Sequence, residues 1–96
     1  MKYELEIKEE ADLEITKAYL YYEEKQMGLG DKFLKLLEKY LDRICENPKH
    51  FQVKRKPYYE AYLQKFPYLV IYEIEEMRVI VYSVFNTPQN PKKKPK

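Results

Sequence analysis

Two segments near the C-terminus constrain this fold most, because each is apolar on both of its alternating faces. In 68–74, Tyr68, Val70, Tyr72 and Ile74 alternate with Leu69 and Ile71; in 78–85, Val79, Val81 and Phe85 oppose Ile80, Tyr82 and Val84. Successive side chains of a strand point to opposite sides, so such strands belong in the middle of a sheet, with apolar material on both sides. The rest of the chain supplies cover for one side only. Tyr3-Glu4-Leu5-Glu6-Ile7 alternates apolar and charged residues, the pattern of a half-buried strand. Ala11, Ile15, Ala18 and Tyr22 then recur at helical spacing, with Glu and Lys on the other face. Phe33, Leu37, Tyr40, Leu41 and Ile44 form the stripe of a second helix, which Asn47-Pro48 stops. Between them, Gly28-Leu29-Gly30 offers the positive φ values of a helix end and tight turn, and Asp31 suits an N-cap or first-turn acid. Helices this close in sequence fold back as an antiparallel hairpin.

Further strands are predicted at 51–55 and at 58–65, with Pro57 between them. Phe66-Pro67 and Glu75-Glu76 read as turns. The order strand, helical hairpin, antiparallel strands predicts an α+β fold of two layers, with both helices on one face of the sheet. A single domain over 1–87 is expected. Residues 88–96 hold three Pro, four Lys and nothing apolar, so a flexible tail is expected there. Two layers leave the second sheet face without internal cover. Either the strands curl enough to cover themselves, or that face is a binding surface.

Composition narrows the function classes. A chain of 96 residues is near the lower limit for a core that folds without staples. Its eleven Tyr, with no Trp, either rim that core or supply contact area that a complex buries. The lone Cys45 excludes an internal disulfide and fits a reducing compartment. With His50 the only imidazole, no metal or cofactor is expected. No signal peptide, long apolar run or lipidation motif is evident, which predicts a cytoplasmic protein with no membrane contact. Residues 1–48 carry eight Lys/Arg against twelve Asp/Glu, and residues 49–96 carry ten against four. The basic half suits nucleic acid or an acidic protein, although the last six residues alone contribute four of its Lys.

Several pieces carry a resemblance. Ala11-Asp12-Leu13-Glu14-Ile15 with Tyr21-Tyr22-Glu23, Gly28-Leu29-Gly30 with Phe33, and Ile44 with Asn47-Pro48 occur in one order. Lys65-Phe66-Pro67-Tyr68 with Ile71-Tyr72, then 79–85 and Asn90-Pro91, complete it. Spread from about Tyr3 to Pro91, this arrangement resembles the RelE/ParE toxin family, the plasmid-stabilisation toxins of type II toxin–antitoxin systems. The resemblance implies a five-stranded antiparallel sheet in the order 1-5-4-3-2, growth inhibition, and a hetero-oligomer with a cognate antitoxin that wraps the toxin. Tyr62, Tyr68, Tyr72, Tyr82 and Phe85 are the residues expected to bind that partner.

Members of the family either cleave messenger RNA on the ribosome or poison DNA gyrase. Metal-independent endoribonuclease chemistry needs a group to activate the 2′-hydroxyl, a donor to the leaving oxygen, and cations to stabilise the phosphorane. Where such members carry an Arg at the start of the strand before the Phe-Pro-Tyr turn, this chain has Tyr59. Where an Arg follows the aromatic that opens the next strand, it has Leu69. The family's His-Thr-Ser-Arg-Asn-Pro exit reads Asn86-Thr87-Pro88-Gln89-Asn90-Pro91, without the His or the Arg. These departures favour a non-nucleolytic, gyrase-directed toxin, with the ribonuclease or an inactive antitoxin-binding module as alternatives. Catalytic candidates remain in Lys54, Arg55, Tyr59, Lys65, Asn86 and Gln89. Tyr82 is, with Tyr59, a candidate proton donor, and Glu60 either pairs with Lys65 or faces water. The run 54–56 also reads as a solvated basic edge, and His50 as a loop residue.

Overall fold

The computed structural model describes residues 2–87; the predicted tail and Gln89 lie outside the described residues. A short strand β1 (Glu4–Ile7) leads through Lys8 into helix α1 (Glu9–Lys25), and helix α2 (Leu29–Glu46) folds back on it. A 3₁₀ turn (Pro48–His50) then feeds β2 (Gln52–Arg55), β3 (Tyr58–Tyr62), β4 (Tyr68–Glu75) and β5 (Arg78–Asn86). The strands form one sheet in the order β1-β5-β4-β3-β2.

β1 pairs with β5 in parallel, whereas the other three pairings are antiparallel. The sheet is therefore mixed, which corrects the all-antiparallel expectation. The reason is parity. Short connections reverse the chain at every junction, and α1, α2, β2, β3 and β4 separate β1 from β5, so the two run the same way.

The helical hairpin closes on a carboxylate. Gly28, at φ 87°, precedes α2, and Glu23 of α1 accepts the Gly28 and Gly30 N–H groups at 2.9 Å each. Those donors lack intrahelical partners, and the positive end of the helix dipole favours the anion. Asp31 lies in the first turn of α2 rather than at its cap. Gly30 is not a turn residue but a packing one, because a Cβ there would sit 2.7 Å from the Tyr19 carbonyl oxygen. Backbone cannot yield as a side-chain tip would, so Gly30→Ala is expected to cost about 1–3 kcal/mol. Chemical denaturation would check this, and an unchanged midpoint would show that the helices separate freely.

The core lies between the hairpin and one sheet face. Ala11 and Ala18 bring α1 close, and Phe33, Leu37, Ile44 and Cys45 project from α2. They meet Ala61, Tyr68, Val70, Tyr72, Val79, Val81 and Val84 of the sheet. Burial pushes the Cys45 thiol pKa up, the mark of an inert packing residue. Phe33 and Tyr68 join Tyr22 and Phe66 in an aromatic cluster with ring centroids 4.8 to 6.2 Å apart.

One bulge alters the predicted facing. Ile71 pairs with Ser83 but Tyr72 with Val81, so Tyr82 is the extra residue on β5. Everything beyond it changes sides. Val84 joins Val79 and Val81 under the helices, and Phe85 pairs with Leu69 on the opposite face. Beyond Val81 the outer edge of β5 also loses β1, which pairs only with residues 78–81. There Glu14 of α1 reaches across: one of its oxygens accepts both the Val84 N–H and the Ser83 hydroxyl at 2.9 Å.

Candidate partner-binding face

The face away from the helices is built by register. Tyr62, Leu69 and Phe85 form one row across β3, β4 and β5; Glu60, Ile71 and Ser83 form the next; Tyr58, Glu73 and Ile80 form a third. Both helices pack on the other side, and no described helix lies over these rows. The apolar floor is nevertheless closed: Leu69, Ile71 and Ile80 are 1%, 3% and 4% exposed. Of the two alternatives that alternation left for this face, a bare apolar patch is thus not the one observed. What faces outward is a rim of Tyr and carboxylate groups, with Tyr62 51% exposed.

The rim is organised by the bulge. Tyr82, displaced from the regular ladder, donates its hydroxyl to Glu73 Oε1 at 2.8 Å and meets the Tyr58 ring edge-on at 5.7 Å. Accepting that bond as an anion, Glu73 favours the neutral phenol, and with some burial it pushes the Tyr82 pKa up to about 12. Glu73→Gln is therefore expected to return Tyr82 toward the ordinary phenol value of 10.0. Tyrosinate absorbance during alkaline titration checks this, with Tyr82→Phe identifying the signal; an identical curve for Glu73→Gln would refute it. On the next row Glu60, buried to 6% exposure, accepts from the Tyr62 hydroxyl at 3.4 Å. At the β1 end, Arg78 bridges Glu6 and Glu75 at 3.0 and 2.6 Å. A bond and charge from Lys8 hold the Glu6 carboxyl below its usual range.

The residues singled out from sequence separate in space. Of the five partner candidates, Tyr62, Tyr82 and Phe85 lie on this face. Tyr68 and Tyr72, 5% and 0% exposed, lie under the helices and are core residues, out of a partner's reach. Their hydroxyls find internal partners: Tyr72 donates to the Pro48 carbonyl at 2.6 Å, and Tyr68 accepts from Asn86 Nδ2 at 3.3 Å. The Asn86 Oδ1 is buried without a partner among the described residues.

The catalytic candidates scatter likewise. Tyr59 stacks on Tyr72 at 5.3 Å, on the helix side, away from Tyr82. Arg55 pairs with Tyr58 at the start of β3, while Lys65, at φ 73°, sits in the turn beyond its end. Four residues of strand, roughly 14 Å, separate those ends. Lys54 lies in β2. His50 closes the 3₁₀ turn beside a shallow cleft of about 340 Å³ lined by Arg43, Glu46, Asn47 and Phe51. Among the described residues, no group of three or more His, Cys, Asp or Glu is placed to hold a metal ion, and no helix is long and apolar enough to cross a membrane. Sequence reading missed the Glu73–Tyr82–Tyr58 cluster, since only the register brings those three residues together.

The model of the ParE toxin of type II toxin–antitoxin systems, parDE, matches residues 5–91. The chain belongs to the ParE toxin family. This ParE-family chain also has the fold of solved members of such systems. It superposes on the chromosomal ParDE system from P. aeruginosa with a TM-score of 0.78 at 8% identity, covering 88% of this chain and 96% of that one. The intact E. coli RelBE toxin–antitoxin complex gives 0.69 at 23% identity, with coverage of 88% and 96%. The isolated E. coli RelE toxin gives 0.68 at 22%, with coverage of 94% and 89%. Curated protein sequences give no significant match. At these identities the structural likeness speaks for the ParE fold, and the family match for the toxin class.

Proposed function

We propose that this ParE-family toxin stops growth by binding rather than cutting, that DNA gyrase is its target, and that a bound antitoxin holds it inactive. The carrying observation is the scatter of cations and proton-transfer groups. Phosphodiester cleavage requires cations aimed at the phosphorane oxygens and an acid–base pair within hydrogen-bond reach. Arg55 and Lys65 stand at opposite ends of β3, and Tyr59 and Tyr82 on opposite faces. The open face carries Glu60 and Glu73, which would repel a phosphate backbone. A binding toxin needs none of that machinery, only a surface with Tyr contact area and polar handles.

Expression in bacteria without an antitoxin is expected to arrest growth, with DNA breaks trapped on gyrase and transcripts intact. Transcripts cut at ribosome-occupied codons would replace this reading with the ribonuclease one. Harmless expression of folded protein would replace it with an antitoxin-binding module.

A further inference from the structure

Every exposed residue of α2 is charged, and helical spacing sorts the two signs. Asp31, Glu38 and Asp42, seven and four residues apart, share the flank that faces the start of β1. There Lys2 pairs with Asp42 at 3.3 Å, and the Tyr3 N–H donates to the Cys45 carbonyl at 2.8 Å. Lys32, Lys35, Lys39 and Arg43 form a second row, at intervals of three, four and four residues. It runs for roughly 16 Å along the helix before Glu46 ends it. Among the described residues, none of these four cations has a carboxylate partner, whereas Lys2, Lys8 and Arg78 all do. Lys35–Lys39 and Lys39–Arg43 are like charges at i, i+4, an arrangement that weakens a helix. The row therefore does nothing for the fold.

We infer that the Lys32–Arg43 row holds the phosphate backbone of duplex DNA, the polymer that gyrase itself grips; the inference rests on the gyrase reading above. Charge and length select the occupant. Along one DNA strand a phosphate recurs every 3.4 Å or so of axis, so the row spans about five of them with four cations. An acidic protein fits less well. Protein interfaces have an apolar centre and are depleted in Lys, and no exposed residue of α2 is apolar. Contacts made only by flexible ammonium and guanidinium groups suit a uniformly charged polymer, which they bind by displacing its counter-ions. The row also lies in the helical layer, whereas Glu60 and Glu73 face outward from the other side of the sheet. DNA on α2 therefore leaves the Tyr-rich face open to the protein part of the target.

The test titrates the full chain into a short labelled DNA duplex and follows fluorescence anisotropy over a range of salt concentrations. Four neutralised phosphates predict that log affinity falls against log salt with a slope of about −3.6. Lys39→Gln/Arg43→Gln is expected to lower affinity about tenfold at low salt and to reduce that slope by about two. Lys17→Gln/Lys25→Gln removes the same charge from exposed positions of α1 and is expected to change neither. All four side chains are exposed, so the thermal midpoint should hold in both variants. Equal losses from the two variants, or a native chain that binds no duplex at low salt, overturn the inference. Tighter binding to a labelled single-stranded RNA overturns the choice of duplex DNA. With gyrase present, the Lys39→Gln/Arg43→Gln variant is expected to bind the enzyme but trap fewer DNA breaks. Unchanged trapping by a variant that has lost duplex binding overturns this inference and leaves the gyrase reading standing. A native chain that neither binds gyrase nor traps breaks overturns that reading, and this inference with it.

Discussion

Tyr72→Ala is expected to lower the unfolding free energy by about 3–5 kcal/mol. Small domains are held by only about 5–15 kcal/mol, so the variant should be largely unfolded at modest denaturant. The side chain is fully buried, stacked on Tyr59 at an interplanar angle of 14° and edge-on to Phe51 at 6.5 Å. Its hydroxyl anchors the 3₁₀ turn through the Pro48 carbonyl. Alanine therefore opens a cavity, frees the turn and strands a carbonyl at once. Tyr72→Phe separates these effects: it keeps the ring and loses the bond, at a cost of about 1–2 kcal/mol. Denaturant midpoints should rank native, then Phe, then Ala. An alanine variant within about 1 kcal/mol of native would mean that this corner of the core collapses without penalty.

Phe33→Ala is expected to cost a similar amount, about 3–5 kcal/mol, through packing alone. Phe33 is 0% exposed and contacts Tyr22, Phe66 and Tyr68 with centroids 5.6, 5.4 and 5.1 Å away. It joins α2 to α1, to the β3–β4 turn and to β4 together, so the loss should be felt in both layers. Phe33→Leu keeps most of the volume but not the ring-edge contacts, and should cost nearer to about 1 kcal/mol. Equal midpoints for the Ala and Leu variants would show that volume is not what matters there.

How legible each part was depended on the range of the interaction. The stripe Phe33, Leu37, Tyr40, Leu41 and Ile44 is a local spacing, and all five residues are buried in the observed α2. The strand order 1-5-4-3-2, implied by resemblance, is the observed one. Register was not legible, because the bulge at Tyr82 is a property of two paired strands rather than of either one. Tyrosine misled for a related reason. Tyr62 and Tyr72 look alike in a pattern, but one is half-exposed and the other lies beneath the helical hairpin. Gly30 read as a turn residue because its real constraint, the Tyr19 carbonyl of the neighbouring helix, is tertiary. The scatter of Arg55, Tyr59, Lys65 and Asn86 was hidden likewise, since nothing local says which sheet face or strand end a residue will occupy.

Glu14 has a consequence for the company this sheet keeps. Past Val81 the outer edge of β5 is left by β1, and an open edge is where another chain's strand would add. A carboxylate seals it in one direction only: it accepts the Val84 N–H but has no donor with which to continue a ladder. A stray strand must first evict a charged acceptor, and it then leaves the fully buried Ser83 hydroxyl without its partner. The helix thus acts as a doorstop for the sheet, keeping an apolar strand from recruiting copies of itself.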